Sequence, residues 1–188
     1  AFARLRQASP EDAGLSFNHA WALSLAGRHD EAAEALSEAA TGTLPQAAML
    51  EVQLAHQAGR FDVAAQLAQR HLAAHPGYPP LFAAVSVLAM DIEDEVLARQ
   101  CAEAGGDHPD ALTTLGLLIL GESRLDEAMA LFVQAEATRP NSPRALIGLG
   151  IASLAGGDPS AAGGMLDRGA EIFGDHLGSW IASGWAYL

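Results

Sequence analysis

The stretch Asp110–Asn141 constrains this chain most, because it describes a structure that cannot stand alone. Leu112, Leu115, Gly116 and Ile119 fall three and four residues apart, which places them on one face of a helix. Ser123 to Leu125 break that rhythm, and Asp126 is placed to cap a second helix. Ala128, Phe132 and Ala135 mark one face of that helix, and Pro140 ends it. Both helices are shorter than an isolated helix needs to be stable in water. Each carries an apolar stripe that requires a neighbour, so one such unit predicts others.

The others are present. Ala128 has equivalents at Ala32, Ala64, Ala98 and Ala162, each inside a predicted second helix, at steps of 32, 34, 30 and 34 residues. Composition suits closely packed helices: half the residues are apolar, and aromatics make up only 6%. Strands would favour aromatic and β-branched side chains. With 18% charged residues the chain is too apolar for disorder. A net charge of −13 repels phosphate backbones and anionic lipid, which argues against nucleic-acid and membrane-surface partners. All the positive side chains are arginines, which reads as a compositional bias rather than a function. No apolar run approaches the length of a membrane span. The first residues lack the apolar centre of a signal peptide, and a chain without an initiator methionine reads as a processed or excised segment. A cytoplasmic location is expected, although a lone cysteine does not fix the compartment.

A period close to 34 with two helices per unit resembles the tetratricopeptide repeat family. The resemblance covers nearly the whole chain. It is fullest in Asp110–Asn141 and continues in Pro143–Phe173 through Leu146, Leu149, Gly150, Gly157, Ala162 and Leu166, with departures at Ser153 and Gly169. The first full unit, Ala13–Thr43, keeps Gly27, Ala32, Leu36 and Ala39, but His19 stands where a core leucine is usual. The second, Gln46–Pro76, keeps Gly59, Ala64 and Pro76. Glu51 falls on a core position there, leaving Leu50 and Leu54 to take the inward role. The third, Pro79–Asp107, replaces the turn glycine with the acidic run Asp91–Glu95. Phe2, Leu5 and Pro10 resemble the end of a preceding second helix, and Trp180, Gly184 and Tyr187 the start of a further first helix. The expected organisation is one solenoid over 1–188, with units at about 13–44, 45–78, 79–108, 109–142 and 143–176 and partial units at 1–12 and 177–188.

The resemblance implies an all-α, right-handed superhelix whose first helices line a concave face. It implies a non-catalytic scaffold that holds a peptide or helix of another protein in that groove. Carried across, the groove positions are Phe17, Asn18 and Trp21, then Met49, Leu50 and Gln53, then Val87, Thr113, Leu117, Arg144, Ile147 and Ile151. Members that clamp a C-terminal carboxylate use lysine, arginine and asparagine there. Only Asn18 and Arg144 are of that type here, so an apolar or amphipathic partner segment is expected. The alternative is a recruiting arm of a larger bacterial enzyme, of sulfotransferase or glycosyltransferase type, whose catalytic domain lies outside this chain. The uncharged end Leu177–Leu188, with Trp180, Gly184 and Tyr187 on one face, is expected to meet a covering helix or a second copy of the chain.

Chemistry finds little purchase. His71 and His75 are four apart, a spacing compatible with a metal, but no third ligand follows, and they read as two surface histidines at a helix end. Gly148 and Gly150 lack the preceding strand of a dinucleotide loop, so they read as helix contacts and no cofactor is expected. Cys101 has acidic neighbours and reads as a packing residue. The Asp91–Glu95 run lacks the spacing of a calcium loop. No catalytic constellation is present in the sequence, so an enzyme is not expected.

Overall fold

The computed structural model describes residues 12–37 and 44–173. These form ten helices: α1 Ala13–Leu25, α2 His29–Ser37, α3 Pro45–Gln57, α4 Phe61–Ala74, α5 Pro79–Asp91, α6 Glu95–Gly105, α7 Pro109–Gly121, α8 Leu125–Thr138, α9 Pro143–Ala155 and α10 Pro159–Phe173. Among the described residues there is no strand. The sequence marks the starts. Proline opens α3, α5, α7, α9 and α10, where its fixed φ fits and its missing N–H costs nothing. Asp12 and Asp94 cap α1 and α6 by accepting from the Leu15 and Leu97 amides, both at 3.0 Å. At α8 the expected cap is displaced: Arg124 occupies the capping position without a side-chain bond, and Asp126 lies within the first turn. There its charge still favours the positive end of the helix.

The helices pack as consecutive pairs, α1 with α2 through α9 with α10. First helices of successive units also pack on one another, whereas second helices of successive units make no comparable contact. A tight inner row and a splayed outer row bend the stack toward the first helices. The result is an α-helical repeat superhelix with α1, α3, α5, α7 and α9 on the inside. The five alanines that set the period, Ala32, Ala64, Ala98, Ala128 and Ala162, are all completely buried. Each lets the second helix of a unit approach its partner.

Two features of the packing depart from the simple pattern. The turn within each unit needs one residue at positive φ. Glycine supplies it at Gly27, Gly59 and Gly157, but Glu93 (φ 61°) and Ser123 (φ 64°) take it in the third and fourth units. The acidic run therefore keeps the turn while bearing the strain that glycine would avoid. The second feature is Phe132 of α8, which is fully buried and reaches between α7 and α9. A Cβ added at Gly116 or at Gly148 would come within 2.5 Å of its ring. Gly150 similarly admits Leu166 of α10, at 2.6 Å from such a Cβ. Between α5 and α7, Ser86 donates to Thr114 at 3.2 Å in a fully buried contact. The expected partial units, including Phe2, Leu5 and Pro10 and the interface residues Trp180, Gly184 and Tyr187, lie outside the described residues.

Candidate interaction surface

The inner row presents a floor of side chains from the first helices. At the N-terminal end, Phe17 and Trp21 of α1 meet with ring centroids 6.1 Å apart. Trp21 is 39% exposed and Leu25, one turn further on, is 75% exposed. Asn18 beside them is exposed. Met49 and Gln53 on α3, Val87 on α5 and Leu117 on α7 continue the row, each half-buried. Ile151 of α9 is almost covered, at 9%. Leu50, Thr113 and Ile147 take core places instead. Leu50 joins the cluster between α1, α2 and α3, Thr113 donates to the Pro109 carbonyl at 2.8 Å, and Ile147 packs near Gly169. All three are covered by neighbouring helices, which leaves little of them open to a bound segment.

The ends of the first helices carry charge, and most of it is matched internally. His56 Nε2 donates to Asp91 Oδ2 at 2.6 Å, joining α3 to α5. The His56 ring also meets Phe61, with centroids 5.8 Å apart. Arg139 reaches Asp110 with two bonds, at 3.3 and 3.2 Å. Arg144 is half-buried, with its Nε and Nη2 shielded from solvent. Burial pulls its guanidinium below the ordinary arginine value, while Asp110 and Asp91 hold it up. Arg144 therefore belongs to a charge group at the ends of the first helices.

The histidine pair is a correction to the sequence reading. His71 is buried, 5% exposed, because Glu51 turns to meet it: its Nε2 donates to Glu51 Oε2 at 2.7 Å. Arg70 adds a bond to the same oxygen at 3.1 Å. The carboxylate and imidazole thus fill, between α3 and α4, the room that apolar side chains take in the other units, and Leu50 and Leu54 point inward as expected. His75 stacks on His71 with centroids 6.3 Å apart. Among the described residues, no group of three or more histidine, cysteine, aspartate or glutamate side chains is arranged to hold a metal ion. Cys101 is buried, and burial with Asp94 nearby pushes its thiol up to about 11. A thiol so poor in thiolate at neutral pH is a packing group. No helix among the described residues is long and apolar enough to cross a membrane.

A curved stack of helix pairs with a continuous inner row defines a class, the α-helical repeat scaffolds, whose members present a surface to other proteins. Residues 44–79 and 119–179 match two tetratricopeptide repeat profiles, and the chain belongs to the tetratricopeptide repeat family. No curated protein sequence matches it. Among solved structures it is similar to YrrB, described as a TPR protein with an unusual peptide-binding site, at 21% identity and a TM-score of 0.57, covering 97% of each chain. It is similar to a chain of the APC/C hetero-tetramer Cut9–Hcn1 at 17% identity and a TM-score of 0.79, covering 93% of this chain and 36% of that one. It is also similar to the MamA protein, at 14% identity and a TM-score of 0.58, over 85% of this chain and 90% of that one. At these identities the likeness shows the fold.

Proposed function

We propose that this protein is a non-catalytic scaffold whose inner face holds a segment of a partner protein. The observation that carries the reading is the row at one register of the first helices, Trp21 on α1, Val87 on α5 and Leu117 on α7 with the polar Gln53 between them on α3, extended at one end by Phe17 and Leu25. Trp21 and Leu25 are too exposed to serve the core, and large apolar side chains clustered at a surface mark contact sites. Because the first helices touch one another, the row is continuous enough to follow an extended strand or one face of a helix. The peptide-binding site of YrrB, a protein of similar fold, supports the same use of such a stack.

The test is to select peptides from a displayed library of random sixteen-residue sequences and map a selected peptide on the protein by NMR. Shifts should fall on α1, α3, α5, α7 and α9 and vanish in Val87→Glu or Leu117→Glu. Ile151→Glu is a poor probe because the side chain is nearly buried and a charge there would disturb the fold itself. Shifts confined to the second helices would refute the reading.

A further inference from the structure

The charge of this molecule is unevenly placed about its inner face. At the ends of the first helices, carboxylates and cations answer one another: His56 with Asp91 where α3 and α5 finish, Arg139 with Asp110 where α7 begins, and Arg144 beside Asp110 and Asp91. Beyond the His56–Asp91 pair, the rim formed by the turns within each unit is different. Its arginines are largely committed: Arg28 to Glu31, Arg99 to Glu122, and Arg124 to Glu122 and Glu127. Among the described residues, no arginine pairs with Asp30, Asp62, Glu93, Asp94, Glu95 or Asp126, and Arg60 alone is left to oppose them.

Apolar side chains stand exposed at these same turns. Leu25 ends α1, Phe61 opens α4 at 43% exposure, Val63 follows, and Val96 of α6 is 69% exposed. Phe61 touches the floor through His56, so floor and rim are continuous there. A partner lying along the floor therefore meets apolar contacts first and uncompensated negative charge along one side. An acidic partner would bring like charges together there, whereas a basic one would be drawn in and oriented.

We propose that the segment held by the inner face is an amphipathic protein segment, apolar along one side and lysine- or arginine-bearing along the side that faces the rim of within-unit turns. The inference rests on the inner-face reading and adds the sign and position of the partner's charge.

The test uses the same library of random sixteen-residue peptides, selected on the wild-type protein. Enriched sequences should carry net positive charge beside their apolar residues. The affinity of a selected peptide should fall about tenfold between low and high salt, because rim charges are exposed and screened. Asp62→Asn with Glu95→Gln and Asp126→Asn should weaken it by a similar factor, with helical content unchanged by circular dichroism. These three positions avoid the capping Asp94 and the strained Glu93. Neutral or acidic enriched peptides that are lost in Leu117→Glu would overturn the charge inference and leave the inner-face reading standing. Basic peptides that survive both Val87→Glu and Leu117→Glu but are lost in the rim variant would overturn the inner-face reading, and this proposal with it. No enrichment of any sequence would overturn both.

Discussion

The clasp of Phe132 between two glycines makes one chemical change act with opposite signs at different places. Replacing glycine by alanine inside a helix gains about 1 kcal/mol from propensity alone. At Gly148 the new methyl would lie 2.5 Å from Phe132 Cε1, and at Gly116 also 2.5 Å. Phe132 is fully buried and gripped from both sides, so its ring cannot retreat from one methyl without pressing on the opposite helix. Overpacking of this kind costs about 1–3 kcal/mol, and a ring held on both faces belongs at the upper end. Set against the propensity gain, Gly116→Ala and Gly148→Ala should each destabilise by about 2 kcal/mol, or about 4–8 °C in melting temperature for a chain of this size. Gly163 and Gly164 on α10 have nothing within 4 Å of such a methyl. Alanine there should stabilise by up to about 1 kcal/mol. Urea titration followed by circular dichroism reads all four variants. Adding Phe132→Leu to Gly148→Ala should cost less than the two changes separately. Stabilisation by Gly116→Ala or Gly148→Ala would refute the clasp.

Three further outcomes follow from particular contacts. Glu51→Leu alone should destabilise by about 1–3 kcal/mol, because His71 Nε2 loses its acceptor while buried; adding His71→Ala, to give the Leu115 and Ala135 pattern of the fourth unit, should recover most of the loss in a double-mutant cycle. Burial lowers the His108 imidazole below its ordinary 6.5, and its Nδ1 accepts from the Asp110 amide at the start of α7. The unfolded chain therefore takes the proton first, so this contribution is complete above pH 6.5 and lost as pH falls through the folded value; His108→Asn should flatten that acid-side decline in denaturation midpoints. Glu93→Gly should raise the melting temperature slightly, since the left-handed φ of 61° costs a side chain about 1 kcal/mol and glycine nothing, and a drop would show that Glu93 has a contact that outweighs its strain.

What was legible in the sequence is what repeats. Ala32, Ala64, Ala98, Ala128 and Ala162 announce the helix pairs because a close crossing admits only small residues, and all five are fully buried. Proline is readable as the stop at Pro140, whereas its second use, opening five helices, shows only in the structure. The rest depends on unlike residues far apart in the chain. Nothing links Glu51 to His71, twenty positions on, except the fold that brings them within 2.7 Å. Gly148 stands two residues before Gly150, the small residue the repeat calls for, and its purpose lies in Phe132 of the preceding unit. The floor was legible as a face but not to the residue. Leu117 and Thr113 lie one turn apart on the same face of α7, yet Leu117 lines the floor and Thr113 is covered, because the neighbouring helices decide which is which.

The unequal contact of the two rows has a mechanical consequence. The inner helices form a continuous strip, while the outer helices of adjacent units are held mainly through the inner ones. Such a body bends like a leaf spring, with the strip as its stiff blade and the outer row as separate ribs. Tension applied to its ends would straighten the blade and bring the ribs together before any helix pair came apart. A ligand bridging several first helices would stiffen the blade and fix its arc. The stiffness seen by pulling on single molecules should then rise on ligand binding, without any change in the force at which a unit unravels.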